Sequence, residues 1–340
     1  AEAPVARDSA LRVIRELQPL RKWGLSSLEG LLGHLRLERQ VRGLARPGEV
    51  HCVWTLQDGV SAWLASHAGG PGHSSCVHGE DVATHLTQSR EDRWLTERVC
   101  RRATRIFANS HNSARLLGSV RIDPARVTVI HPGVDPARFR PDLDGTGIRS
   151  RYEAQGPLLL SVGRLQRRKG FDTALRAVAR VQSDYPGLRY LLVGRGEDES
   201  YLRGLIGELG LQDTAHLVGA VSDEELPLFY AACDVFLHPN RVEGVDIEGF
   251  GIVFLEAAAS GVPVVGGRSG GVPEAVEDRE TGLLVEGQDV GELESVLREL
   301  LGSQSLRDRL GRAGRARVER SFTWERAASS LCRALEPGRQ

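Results

Sequence analysis

The sequence predicts an α/β protein made of two parallel-sheet domains. Three observations predict it. The chain has 340 residues, more than one ordinary hydrophobic core accommodates. From Leu158 onward, short apolar runs alternate with amphipathic stretches, the pattern of βαβ units. Glycines follow nearly every run: Gly163, Gly194, Gly196, Gly219, Gly244, Gly249, Gly266, Gly267 and Gly287. Such turns leave the carboxyl ends of parallel strands, where open α/β sheets bind ligands.

In the second half the expected strands are Leu158–Val162, Tyr190–Val193, His216–Val218, Val235–His238, Pro263–Val265 and Leu283–Val285. Phe171–Ser183, Glu197–Leu209 and Asp289–Leu300 carry apolar residues at helical spacing. The first half is less regular. His51–Thr55, Ser75–Val77, Ile106–Ala108 and Val127–Ile130 read as four strands with helices between them. Before them, residues 20–46 are amphipathic and basic. That stretch is either a solvated helix face or a peripheral contact with an anionic membrane. Residues 136–157 are rich in Pro, Gly, Asp and Arg without periodicity and are expected to form a hinge. Past residue 315 the pattern is helical, with Phe322 and Trp324 as docking anchors. The expected organisation is therefore 1–135 as an N-terminal domain, 136–157 as hinge, 158–320 as a second domain and 321–340 as a C-terminal helix.

Composition narrows the function. The formal net charge of −1 gives no pull toward nucleic acid. No apolar run reaches the length of a membrane-spanning helix, and the N-terminus lacks the order of a signal peptide. A cytoplasmic protein, peripheral at the inner membrane face if residues 20–46 lie on it, is the expectation. The five cysteines, Cys52, Cys76, Cys100, Cys233 and Cys332, form no C-x-x-C pair, so neither a disulfide framework nor a zinc site is expected. Of 44 basic residues only Lys22 and Lys169 are lysines, and there is no methionine.

Four segments carry chemistry. Glu248 and Glu256 bracket Gly-Phe-Gly-Ile-Val-Phe-Leu. On one continuous helix they would point about 80° apart. The Gly-Phe-Gly start instead places Glu248 on a loop and Glu256 on the helix that follows. That helix is apolar nearly all round, so Glu256 is either half of an internal ion pair or a carboxylate aimed at ligand hydroxyls. Gly163–Gly170 packs four cations, Arg164, Arg167, Arg168 and Lys169, between two glycines at a strand end. That arrangement suits a pyrophosphate, and a lysine in so arginine-rich a chain suits a compact ammonium. Gly266–Glu274 follows a strand and enters a helix at Pro273, offering backbone N–H groups to an anion. His78-Gly79-Glu80-Asp81 leaves a strand end in the first half.

Together with Ala232–Pro239 (Ala-Cys-Asp-Val-Phe-Leu-His-Pro), these segments resemble glycosyltransferase family 4, most closely over residues 127–324. The resemblance implies a GT-B fold, two Rossmann-like domains facing each other across a cleft, and a retaining transferase using a nucleotide-diphosphate sugar as co-substrate without a separate cofactor. It implies that Arg164 and Lys169 hold the diphosphate, with Gly163 in their turn. Glu248 would bind sugar hydroxyls, helped by the N–H groups of Phe250 and Gly251. Glu256 would accept the ribose hydroxyls, and the backbone near Val221 would meet the base. His78 would approach from the opposite domain, and Gly270 and Gly271 would line the sugar–phosphate end. Asp246-Ile247-Glu248 with Ser269-Gly270-Gly271 is similar to mannosyltransferases of cell-envelope assembly, which places GDP-mannose first and UDP-glucose second as donor. The acceptor is an unknown saccharide, lipid or small molecule.

The family opens with a strand and a glycine-rich loop that residues 1–20 do not match, so an incomplete N-terminal domain is expected. A non-catalytic nucleotide-sugar-binding subunit is therefore the alternative reading. A dinucleotide oxidoreductase is disfavoured because no G-x-G-x-x-G opens a helix after a first strand. Asp142-Leu143-Asp144 imitates a metal-binding D-x-D but falls in the hinge, and no metal ligand is expected.

Overall fold

A computed structural model describes residues 51–53, 63, 72–79, 82–83, 90–118 and 122–335. Residues 20–46 lie outside them, as do Glu80 and Asp81. Two parallel sheets organise the chain. The first has the order β1 (His51–Val53), β2 (His73–Val77), β3 (Ile106–Ala108), β4 (Val127–Val129). Helices α1 (Arg90–Arg102) and α2 (His111–Leu117) follow β2 and β3. Ser110 caps α2, its Oγ accepting from Ser113 N, which supplies a partner for one of the free N–H groups of the first turn.

The second sheet contains β5 (Leu158–Val162), β6 (Arg189–Val193), β7 (Ala215–Gly219), β8 (Val235–His238), β9 (Val264–Gly267) and β10 (Gly282–Val285). Their order is β10-β9-β8-β5-β6-β7, all parallel. Apolar layers cover both faces, which explains the continuous apolar runs. Alternate side chains of β5 enter opposite layers. Leu158, Leu160 and Val162 join one cluster and Leu159 the other, as the two-residue period of a strand requires. The helices are α4 (Phe171–Val181), α5 (Glu199–Glu208), α6 (Leu226–Ala232), α7 (Ile252–Ala259), α8 (Val272–Ala275), α9 (Val290–Gly302) and α10 (Gln304–Ser321). In α4 the buried Ala174, Leu175, Val178 and Val181 fall on one face at helical spacing. Asp289 starts α9 by accepting from Gly291 N and Glu292 N.

One expectation changes, and one helix was not anticipated. Residues 136–157, expected as a hinge, are not without secondary structure. They contain α3 (Thr146–Arg151), whose Ile148 is buried. Arg149 bonds to the carbonyls of Ala232 and Gly156 and to Asp234, fastening this helix beside α6. Long-range bonds from one arginine replace the periodic apolar face that would have announced a helix. In the C-terminal helix α11 (Trp324–Leu335), Phe322 just before it is buried, but Trp324 is 49% exposed and is no anchor. The tail is held by Phe322, as expected, and by backbone: Val134 N donates to Phe322 O at 2.9 Å, and Val134 bridges Thr323. No helix among the described residues is long and apolar enough to cross a membrane.

Candidate donor-binding site

The chain runs from β5 outward through β6 and β7, then returns to start β8 on the other side of β5. The β5/β8 boundary is thus a topological switch point, where the loops leaving adjacent strands diverge and open a crevice. Gly163–Gly170 leaves β5 at this point and Pro239–Gly251 leaves β8. The sharpest motifs of the sequence therefore meet in one place.

A buried ionic cluster forms there. Glu248 Oε2 accepts from Lys169 Nζ, from Arg168 Nη1 at 2.9 Å and from Asn240 Nδ2 at 2.7 Å. Arg168, Lys169 and Glu248 are 6%, 9% and 8% exposed. Arg168 Nε also lies 2.9 Å from Asp246 Oδ1. Burial alone would push the Glu248 carboxyl up, but the charges of Lys169 and Arg168 outweigh it and hold it down at about 2. His238, fully buried among the rings of Phe171, Phe236 and Phe254, is driven down to about 3 by burial and by Lys169, so it is neutral. Arg167–Lys169 form one 3-10 turn closed by Gly170 at φ +71°. A Cβ on Gly170 would stand 2.0 Å from the Pro239 carbonyl oxygen, so only glycine lets this turn press against the β8 loop.

Gly270 and Gly271 act first as scaffolding. Added Cβ atoms would meet Glu248 O at 2.0 Å and Gly249 O at 2.1 Å. Gly271 N donates to Glu248 O at 2.9 Å, so the 269–271 turn supports the backbone that carries Glu248. Gly251 precedes α7 in the left-handed region at φ +86°, and Phe250 is buried. The loop-then-helix reading of this segment agrees with α7. Glu256, on α7, is in no ion pair among the described residues: its Oε2 accepts from Tyr230 Oη at 2.7 Å, and burial raises its pKa. Val221 lies past β7, half-buried against the core. Arg164 is exposed, whereas Lys169 is buried. His78 follows β2, and its neighbour Gly79 reaches the opposite loop: a Cβ on Gly79 would fall 2.9 Å from Gly249 Cα. The first-sheet loop bearing His78 thus sits against the loop bearing Glu248.

A second junction joins the two halves. Glu274, on α8 just past the glycine pair, accepts from His111 N at 2.8 Å and Asn112 N at 2.9 Å, capping α2 of the first half. His131 Nε2 lies 2.9 Å from Glu274 Oε2. The His131 ring packs against Phe250 and Phe322 with centroids 5.3 and 5.7 Å away. Sequence reasoning missed Arg168 as a partner of Glu248, along with Asn240, His238 and this Glu274 junction. Asn240 follows the quoted Ala232–Pro239 stretch directly, so its place at the strand end was a usable signal. The Glu274 contacts span more than 140 residues, and no local signal marks them. Asp142 and Asp144 serve local roles, Asp142 pairing with Arg140 and Asp144 accepting from Thr146 N and Oγ1.

Residues 149–317 match the family described as glycosyl transferases group 1, and residues 3–138 match Glycosyltransferase Family 4. The chain is similar to the GDP-mannose-dependent alpha-(1-6)-phosphatidylinositol monomannoside mannosyltransferase of Mycobacterium tuberculosis, 34% identical over 304 residues, covering 86% of this chain and 77% of the relative. It is also similar to the D-inositol 3-phosphate glycosyltransferase of Streptomyces scabiei, 32% identical over 308 residues, covering 84% and 67%. Among solved structures, Anabaena HepE in complex with UDP and glucose shares the fold at a TM-score of 0.80 and 22% identity, covering 95% of this chain and 85% of that one. Sucrose-phosphate synthase of Thermosynechococcus elongatus aligns with a TM-score of 0.78 at 25% identity, covering 94% and 81%.

Proposed function

The chain belongs to the GT-B glycosyltransferases of family 4, which act on nucleotide sugars, and on that premise we propose that it transfers mannose from GDP-mannose with retention at the anomeric carbon. UDP-glucose is the second donor to test. The acceptor proposed is a hydroxyl of an inositol-phosphate-bearing compound, the chemistry that both named relatives share.

The observation that carries this reading is the buried Lys169–Arg168–Glu248 cluster at the β5/β8 switch point. Sugar transfer develops negative charge on the departing diphosphate and positive charge at the anomeric carbon. Fixed cations already buried beside the crevice stabilise the first without reorganising, usually the largest single catalytic contribution. Lys169 is the compact cation for the diphosphate, and exposed Arg164 closes on its outer side. Glu248, ionised down to about pH 2, accepts from sugar hydroxyls and faces the developing positive charge. Asn240 Oδ1 and Ser269 Oγ are buried around the same crevice without a protein partner among the described residues, and such atoms call for a bound ligand.

Glu256 would accept the ribose hydroxyls from α7, and the hydrogen bond from Tyr230 Oη supports this reading by fixing its carboxylate. His78, Gly163, Val221, Phe250, Gly251, Gly270 and Gly271 keep the roles that the family resemblance assigns. In this reading the cations do the work of a divalent ion, so no metal and no separate cofactor is required. Contact with a membrane through residues 20–46 belongs to the same proposal.

The test is direct. Purified protein is incubated with GDP-mannose, UDP-glucose and GDP-glucose, with and without an inositol phosphate, and product anomers are read by NMR. Mannosyl transfer or donor hydrolysis with retained configuration supports the proposal. Turnover of UDP-glucose alone would reverse the donor order, and an inverted product would remove the mechanism.

A further inference from the structure

Glu274, His111 and His131 come from three segments, two of them in the first half and one in the second, and their ligand atoms all lie within 4.8 Å of one another. The geometry points to a transition-metal site of the zinc class at this junction, separate from the crevice that holds Glu248. Two imidazoles and one carboxylate are the ligand set that selects zinc-like ions over magnesium or calcium, leaving a fourth position for water. Tetrahedral zinc needs ligand atoms about 3.3 Å apart. His131 Nε2 and Glu274 Oε2 already stand 2.9 Å apart, so the adjustment falls to the exposed His111, whose ring stands edge-on to His131 with centroids 5.8 Å apart.

The supporting contacts are in place. Metal ligands are usually held by outer hydrogen bonds and packing that fix their orientation. The Glu274 carboxylate is fixed by the backbone N–H groups of His111 and Asn112. The His131 ring is wedged between Phe250 and Phe322. Zinc here would bind the arrangement in which the two halves touch and would stabilise it by mass action. A transferase must admit a donor and release a diphosphate, so a metal fastening its two halves together acts as an inhibitor rather than a cofactor. This last step rests on the proposed transferase activity, whereas the metal site itself does not.

The experiment uses the whole chain and zinc chloride. Calorimetry on the wild type is expected to show one zinc per chain. His111→Ala keeps the backbone N–H that caps against Glu274, removes one ligand, and should weaken zinc binding at least about tenfold. It should leave donor turnover without zinc unchanged. Zinc should inhibit wild-type turnover and inhibit His111→Ala at least about tenfold less. Equal zinc affinity in wild type and His111→Ala, or no uptake by the wild type, overturns the site. If the wild type binds zinc through His111 but turns over no nucleotide sugar, the transferase reading fails and the metal site stands.

Discussion

Neutralising Glu248 should move two ligands in opposite directions. In the folded chain its carboxyl titrates at about 2 against 4.5 for an ordinary glutamate, a preference for the charged form of about 3 kcal/mol. Its folded pKa is depressed, so that stabilisation is complete above about pH 4.5 and is lost as the pH falls toward 2. Glu248→Gln removes it and leaves Lys169 and Arg168 buried with a weaker partner, although Arg168 keeps Asp246. Stability should therefore fall by about 3 kcal/mol, and the acid limb of the unfolding curve between pH 4.5 and 2 should flatten. The fold must survive this loss, which a melting curve checks first.

The ligands then separate. A diphosphate bound at Lys169 is repelled by the neighbouring carboxylate. At about 6 Å and an effective dielectric of about 20 the repulsion is about 3 kcal/mol, which solvent and rearrangement reduce to about 1. Free GDP or UDP should consequently bind Glu248→Gln about fivefold more tightly. The sugar-bearing donor loses charge-assisted hydrogen bonds to its hydroxyls, and kcat/KM should fall by about 2–3 kcal/mol, or about 30- to 160-fold. Calorimetry with free nucleotide and donor-hydrolysis kinetics on the same preparation measure both. Weaker binding of the free nucleotide, or a donor loss no larger than the nucleotide loss, would refute the placement of Glu248 between diphosphate and sugar.

Three further outcomes are expected. Glu256→Gln should weaken free nucleotide and complete donor alike, by about 1–2 kcal/mol in calorimetry, because its proposed target is the ribose they share; an effect on the donor alone would move Glu256 away from the nucleotide. Glu274→Gln cannot accept from His111 N, Asn112 N and His131 together, so it should lower stability by about 1–3 kcal/mol and widen the molecule in small-angle scattering. An unchanged scattering profile would mean that the junction does not hold the halves together. Excess EDTA should leave turnover intact, and Asp142→Asn/Asp144→Asn should keep near-full activity; loss restored by Mg²⁺ would assign the leaving group to a metal.

Where the residues themselves were informative, the reason is local. Leu158–Val162 and Val235–His238 are fully buried parallel strands, so every side chain is apolar or packed, and the runs stand out with their exact ends. Phe171–Ser183 shows the buried face of α4 at helical spacing and overruns it only where a 3-10 turn follows at Gln182–Asp184. The helix inside residues 136–157 went unread for the opposite reason. Helix α3 buries one main apolar residue, Ile148, and is secured by Arg149 reaching distant carbonyls, so its local pattern is that of a loop. Trp324 misled because an aromatic at a helix start reads as an anchor, while the anchoring here comes from buried Phe322 and a backbone bridge from Val134 to Thr323.

The site divides in the same way. Glu248 and Glu256 share one nine-residue segment, so the change from loop to helix between them follows from Gly251 alone. The partnership of Glu248 with Lys169 has no such local basis. It exists because β8 returns beside β5, a choice of strand order that no motif encodes by itself. Both motifs can be read as phosphate and sugar ligands, but the ion pair that ties them lowers the Glu248 pKa and underlies the opposite responses expected of free nucleotide and donor on its removal. That coupling is a property of the strand order, and it is why the sign of the Glu248→Gln effect on free nucleotide follows from the fold while the identity of the two motifs follows from the residues.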